Sequence, residues 1–439
     1  MNRHPLATPS PEAIARIHDS GKQGVIAVTG GGSAAIAALL AVPGASRFLL
    51  EARIPYCTAA LDEYLGAKPE QYCSDRTARA IAMAAFWRAR KLAGPADIDH
   101  ASQLIGLGAT ASLASDRPKR GRHRLHAALQ TAKYTAGVSL TLMSGRRNRF
   151  EEETLAGDLL IAFLSDATSN ALDQTQSTID KTNLEDSPES DRFPISFDAC
   201  PALTRFRDCL PTDELLDGHI VGAPPDWTQL LLGKTGCVAC EPLADSLPPC
   251  EANVGETKRV LFPGAFNPLH DGHRAMARFA AEHLGRAVEY ELSIENVDKP
   301  PLDFLEIARR AQPFAQTGRL WLTRAPTFLA KARLFPNCVF LVGADTVIRI
   351  AIAKYYPDTA ARDAAIDEIR QLGCRFLVFG RVAQGRFQSL EELALPPALL
   401  ALCDAVPESG FRADISSSEI RRRIEQSANR AATEAGDLQ

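Results

Sequence analysis

No apolar run in the 439-residue sequence approaches the length of a membrane span, and residues 1–20 lack the apolar core of a secretory signal. A soluble, cytoplasmic protein is the expectation. Neither sign of charge dominates: 49 basic residues meet 53 acidic ones, for a formal net charge of −4. So small an excess argues against bulk electrostatic binding to nucleic acid, and no nucleic-acid or membrane partner is expected. The cysteines (57, 73, 200, 209, 237, 240, 250, 338, 374 and 403) are scattered and lack the framework of a small secreted domain. Reduced thiols follow. One pair, Cys237 and Cys240, has CxxC spacing. A zinc site would need two further ligands, from Cys250, Cys209 or His219; the alternative is a pair of loop cysteines.

What is present is an ordinary globular composition, 46% hydrophobic and 23% charged, in a chain long enough for two or three domains. Its most informative stretch is Arg259-Val260-Leu261-Phe262-Pro263-Gly264-Ala265-Phe266-Asn267-Pro268-Leu269-His270-Asp271-Gly272-His273. It opens as a buried strand, breaks at Gly264 and turns helical from Arg274. Two histidines three apart thus sit where a helix begins. Free N–H groups and a partial positive charge there make a natural seat for phosphate. Imidazoles beside it can donate to phosphate oxygens as charge builds during transfer.

Apolar runs at residues 288–293, 319–323, 338–343 and 374–380 read as strands, with helices at 303–314 and 358–372 between them. Such alternation predicts a parallel sheet covered on both faces, with ligand at the carboxyl ends of its strands. Three more clusters would reach that rim. Asp345 follows the third of these strands and is placed to accept from ribose hydroxyls. Arg381 follows the fourth. Ile415-Ser416-Ser417-Ser418-Glu419-Ile420-Arg421 opens the last helix, where serines, free N–H groups and an arginine form a second phosphate cradle.

Gly264-Ala265-Phe266-Asn267-Pro268-Leu269-His270-Asp271-Gly272-His273 and Ile415-Ser416-Ser417-Ser418-Glu419-Ile420-Arg421 together resemble the two signature motifs of the nicotinamide/nicotinate mononucleotide adenylyltransferases, members of the HxGH nucleotidyltransferase superfamily. The resemblance spans most of 258–425. It implies a Rossmann-like α/β domain that transfers an adenylyl group from ATP to a mononucleotide and releases pyrophosphate. His270 and His273 would be the catalytic pair on the ATP phosphates. Gly264, Ala265, Phe266, Asn267 and Gly272 would line the nucleotide. Ser417, Ser418 and Arg421 would grip the outer phosphates, with Asp345 and Arg381 at the rim. Mg2+ would arrive with ATP. Lys299 is a candidate for an acceptor phosphate or a solvated lysine. Tyr355 and Tyr356 stand where family members often have a tryptophan, and would either stack on the acceptor or pack a helix end. Other readings stay open: cytidylyl or another nucleotidyl transfer to a different phosphorylated acceptor, and a non-catalytic nucleotide sensor.

Residues 11–167 form a separate α/β unit. A strand at 24–28 runs into Thr29-Gly30-Gly31-Gly32-Ser33 and a helix, an order that suits either close approach to a ligand or a tight turn. The basic run Arg117-Pro118-Lys119-Arg120-Gly121-Arg122-His123-Arg124 reads as a solvated hairpin edge in preference to an anion site. Thr29-Gly30-Gly31, Val42-Pro43-Gly44-Ala45-Ser46, Tyr56, Leu65-Gly66 and Gly145-Arg146-Arg147 resemble the C-terminal domain of the competence-damage protein CinA, the nicotinamide-nucleotide amidohydrolase family. Ser46 matches the nucleophile position, but Leu61 stands in place of the family's lysine. An apolar leucine takes no proton from a serine, so Thr29, Gly30, Gly31 and Ser46 would be a degenerate site. Amide hydrolysis through this domain is the alternative. Members of the family often self-associate, so a homo-oligomer through this domain is expected. Residues 168–257 read as a polar linker with a small docking segment, and 258–432 as the nucleotidyltransferase domain.

Overall fold

The computed structural model describes residues 10–94, 101–117, 121–175, 197–240, 258–297, 299–383, 386–409 and 411. These fall into two compact units divided between Lys234 and Thr235, with residues 299–308 grouped with the first. Among the described residues no helix is long and apolar enough to cross a membrane.

The first unit is built on six strands: β1 (Gln23–Thr29), β2 (Leu49–Arg53), β3 (Leu104–Ser112), β4 (His123–Gln130), β5 (Tyr134–Leu142) and β6 (Leu215–Gly222). Their order is β2-β1-β3-β4-β5-β6. The first three are parallel and the last four pair antiparallel, so this sheet is mixed. One face carries the main apolar core, with Val28, Leu107, Leu125, Val138 and Leu140 buried against the helix Arg149–Thr168. That helix starts cleanly: Asn148 Oδ1 accepts from Glu151 N–H at 3.0 Å, and Glu151 accepts from Asn148 N–H at 2.9 Å. The helix Asp75–Ala93 covers the other face.

The expected docking segment belongs to this unit. Residues 215–222 form β6, hydrogen-bonded along the whole of β5. Asp166 caps the helix Pro201–Asp208, accepting from Ala202 and Leu203 N–H at 3.0 and 2.8 Å. The expected boundary at 168 rests on the polar stretches 168–177 and 183–191. Their composition did not reveal that a further helix and strand, 201–222, return to the sheet.

The second unit holds β7 (Cys237–Cys240), β8 (Val260–Pro263), β9 (Val288–Ser293), β10 (Leu320–Thr323), β11 (Val339–Gly343), β12 (Arg375–Phe379) and β15 (Cys403–Val406), with a separate ribbon of β13 (Arg381–Ala383) and β14 (Arg386–Gln388). The sheet order is β15-β12-β11-β8-β9-β10-β7. From β8 the chain winds outward through β9 to β10, then returns to the centre and winds the other way through β11, β12 and β15. These six strands are parallel. Only β7 is antiparallel, closing the edge of β10. This is the doubly wound order of Rossmann-like folds, and its switch point lies between β8 and β11. On one face Leu261, Phe340, Val342, Phe376 and Val378 form the core beneath Ala344–Ala351 and Thr359–Gln371.

Strand β7 settles the CxxC pair. Cys237 and Cys240 lie in a strand, not a loop, and three residues apart on a strand they point to opposite faces. They do not make half of a tetrahedral site. Cys250 lies outside the described residues, and among those described no group of three or more His, Cys, Asp or Glu side chains is placed to hold a metal.

Candidate functional site

The loop after β8 emerges at the switch point. Gly264 N–H donates to the Glu291 carbonyl at 2.9 Å, which ties the loop to the end of β9. A Cβ on Gly264 would stand 2.6 Å from the Phe266 ring, so only glycine fits. Phe266 itself takes a φ of 41°, a left-handed conformation that an aromatic residue rarely adopts. Its buried ring is wedged edge-on against Phe262, Tyr290, Phe314 and His273, at centroid distances of 5.6, 5.6, 5.1 and 5.3 Å. Packing therefore holds the loop in a shape its backbone would not choose.

The helix Asp271–Leu284 begins from that loop with His270 at its N-cap. The rings of His270 and His273 stack, with centroids 3.7 Å apart and planes inclined by 29°. His273 Nδ1 accepts the His270 backbone N–H at 3.3 Å. A neutral ring that accepts at Nδ1 carries its proton on Nε2, which leaves Nε2–H free to donate. Burial, then the neighbouring His270, pushes the pKa of His273 down from 6.5 to about 3. Burial also lowers that of His270, with Asp271 opposing. Burial thus favours the neutral form of both imidazoles, beside helix N–H groups of the kind that can seat a phosphate.

Two arginines brace the loop. Arg309 Nη2 donates to Asn267 Oδ1 at 2.5 Å, and Arg310 Nη1 to the Ala265 carbonyl at 3.0 Å. Neither is among the residues expected from the sequence. The signal was available: Arg310 lies three residues after Ile307 and four before Phe314, on the apolar side of its helix. Beneath the loop, Lys331 Nζ contacts both carboxylate oxygens of Glu291 at 2.7 Å and the Ala325 carbonyl at 2.7 Å. Thr323 donates to the same carboxylate.

Asp345 is exposed in the first turn of Ala344–Ala351, at the carboxyl end of β11, and so reaches the same rim. Arg381 opens β13 directly after β12; its side chain lies outside the described set. Ser416, Ser417, Ser418 and Arg421 also lie outside the described residues. Lys299 is exposed and falls in the stretch grouped with the first unit. The tyrosines are engaged locally. Tyr356 donates to the Ile350 carbonyl at 3.1 Å, and Lys354 Nζ lies 4.7 Å from the centre of the Tyr355 ring. Helix-end packing accounts for both.

In the first unit the expected set Thr29, Gly30, Gly31 and Ser46 does not assemble. Thr29 ends β1 and Gly30 follows it, whereas Ser46 sits in the turn Ala45–Arg47 ahead of β2, whose Leu49 pairs with Gly24 at the start of β1. About five strand residues, roughly 16 Å, separate the two ends. Thr29 donates to the Pro55 carbonyl, and Leu61 is buried with Ala27, Leu65 and Ile81. The glycine turn is already filled. Glu153 accepts from Ser33 Oγ–H at 2.7 Å and Ala34 N–H at 3.2 Å, and Arg149 bridges it to the Gly30 carbonyl. A side-chain carboxylate occupies the helix N-terminus where a ligand anion would sit. Glu153→Ala should therefore lower the stability of the first unit by about 1–2 kcal/mol, the usual cost of a lost helix cap, as read by urea unfolding. No change would mean the contact is incidental. In the basic run, His123 is buried against Glu152 at 2.6 Å, while Arg122 and Arg124 are exposed.

Residues 261–423 match the family model described as cytidylyltransferase-like. That span begins in β8, contains the histidine loop and runs past β15. The second unit thus holds the region that is similar to cytidylyltransferase-like nucleotidyltransferases. No curated protein matches the chain. Among solved structures, the chain is similar to the competence/damage inducible protein CihA of Agrobacterium tumefaciens, with 18% identity, a TM-score of 0.27, and coverage of 38% of this chain and 95% of that one. A similarity that slight bears on nothing further.

Proposed function

We propose that the protein transfers an adenylyl group from ATP to nicotinamide or nicotinate mononucleotide and releases pyrophosphate. The observation that carries this reading is the stacked His270–His273 pair at a helix N-terminus on the switch point of a doubly wound sheet. An acceptor phosphate oxygen attacks the α-phosphorus of ATP, and the bond to the leaving pyrophosphate breaks. No protein nucleophile is required. His273 Nε2–H and the first N–H groups of Asp271–Leu284 donate to the oxygens on which charge accumulates. Magnesium accompanying ATP supplies charge neutralisation. Asp345, exposed at the carboxyl end of β11, would accept from the ribose hydroxyls of the nucleotide. The serine–arginine motif ending at Arg421 is proposed for the outer phosphates.

The test is a product assay with the full chain, ATP, magnesium and each mononucleotide. Dinucleotide and pyrophosphate are expected in equal amounts. Absence of dinucleotide with both mononucleotides overturns the assignment of acceptor. The description of the matched family makes CTP with phosphorylated acceptors the second arm, and turnover only there would establish cytidylyl transfer instead.

A further inference from the structure

The second sheet carries a pair of thiols at the end opposite the histidine loop. Cys338 directly precedes β11 and Cys374 directly precedes β12, and those strands pair in parallel from Val339 and Arg375 onward. The pairing extends one residue back. Arg375 N–H donates to the Cys338 carbonyl at 3.0 Å, and Asn337 N–H to the Leu372 carbonyl at 2.8 Å. The two cysteines are therefore neighbours across adjacent strands, and both enter the core that holds Phe335, Phe340 and Phe376. Cys338 is 0% and Cys374 1% exposed. Their Sγ atoms lie 3.9 Å apart.

Two turns hold the thiols side by side. Asn337 leads into β11 with a φ of 57°, and Gly373 leads towards β12 with a φ of 70°, both left-handed. The turns touch: a Cβ on Gly373 would stand 2.2 Å from Asn337 Oδ1. Gly373 and Cys374 N–H groups donate to the Arg370 and Ile369 carbonyls at 3.0 and 3.2 Å, which anchors the second turn to the helix Thr359–Gln371. Hydrogen bonding from Cys338 brings the pKa of Cys374 down from 9.0 to about 7, against the effect of burial. Burial pushes Cys338 well up. The Phe335 carbonyl, 3.4 Å from Cys374 Sγ, accepts the proton of the thiol form. Cys374 therefore reaches its nucleophilic thiolate near neutral pH while Cys338 stays a thiol.

We infer that Cys338 and Cys374 form a redox pair, closed to a disulfide by a small peroxide and reopened by a dithiol. The Cys374 thiolate attacks one peroxide oxygen and the O–O bond breaks. The departing hydroxide takes up the proton that the thiol gave to solvent, leaving Cys374 as a sulfenic acid. Cys338 Sγ then attacks Cys374 Sγ, the S–O bond breaks, and the hydroxyl leaves as water with the Cys338 proton. Two thiols are oxidised to one disulfide, and the peroxide is reduced to two waters. Paired positions on adjacent strands lie about 5 Å apart, within the roughly 4.4–6.8 Å Cα separation that a disulfide spans, so β11 and β12 need not part. The closed form joins the two ends of residues 338–374, a stretch that holds β11, Ala344–Ala351 and Thr359–Gln371, and so restricts the unfolded chain. The histidine loop lies at the other end of the strands, so the pair acts on stability and leaves that loop unchanged.

The test treats the folded full-length protein with hydrogen peroxide, alkylates the remaining thiols and reads linked peptides by mass spectrometry. A Cys338–Cys374 link is expected, reversed by dithiothreitol, with the midpoint of thermal unfolding raised by roughly 5–10 °C in the linked form. Dimedone, which captures sulfenic acids and is added as the protein is unfolded after oxidation, should mark Cys374 in Cys338→Ser. Cys403→Ser, which changes a half-buried thiol on the neighbouring β15, should link at the wild-type rate. Circular dichroism establishes that each variant is folded. The inference is overturned by no Cys338–Cys374 link in the folded wild type, by a link that forms only in urea, or by preferential linkage of either cysteine to another thiol.

Discussion

His273→Ala is expected to lower kcat/KM for nucleotidyl transfer by about 10²–10³-fold, the cost of removing one donor aimed at developing charge. The loss should fall mainly on kcat, because charge grows on the phosphate oxygens only during transfer. The variant should remain folded, since His273 is only partly buried and the ring wedge of Phe266 against Phe262, Tyr290 and Phe314 stays in place. A variant with normal kcat would remove His273 from the chemistry. The pH dependence gives a second reading. The folded pKa of His273, about 3, lies below the ordinary 6.5, so folding favours the neutral ring. The unfolded chain therefore binds more protons between those values, and stability rises with pH across that window. The contribution of His273 is complete above about 6.5 and is lost as pH falls towards 3. A ring that donates while neutral does not need protonation, so kcat/KM should hold steady from roughly pH 7 to 8.5. A fall across that range following loss of one proton would show that an imidazolium is needed instead.

Lys331→Ala is expected to destabilise the second unit by about 3–5 kcal/mol, because it leaves the Glu291 carboxylate buried without its cation. Glu291 has no exposed side-chain surface and that of Lys331 is 8% exposed, so water does not replace the lost partner. The effect should reach the site as well, because the Glu291 backbone holds Gly264 N–H. Combining Lys331→Met with Glu291→Gln should recover most of the stability, since replacing both members of a buried pair is far less costly than removing one. Equilibrium unfolding of the single and double variants checks this. A single variant as stable as wild type would mean that the pair is solvated in solution.

The doubly wound domain was legible because its signals are short-range. Val260–Pro263 reads as a strand from its apolar run, Gly264 as a break, and Asp271–Leu284 as a helix from its spacing. His270 and His273 were found because both fall within one strand-to-helix turn. The supports of that turn were not legible. Glu291 and Lys331 are separated by forty residues and look like ordinary surface charges in any local window. The same holds for Glu153, which fills the glycine turn from 120 residues away. Ser46 misled in the opposite sense. It lies close in sequence to Thr29, but a parallel crossover carries it back to the other end of the sheet.

Sequence alone therefore determined where strands and helices form and that two histidines meet at a helix N-terminus, because backbone periodicity and turn chemistry act over a few residues. Tertiary structure decided what surrounds them: that the histidine loop stands at the switch point, that burial lowers the pKa of both imidazoles, that the first glycine turn is occupied by Glu153, and that Ser139 faces His126. Each of these depends on strand order and register, which set neighbours across distances that no local pattern encodes.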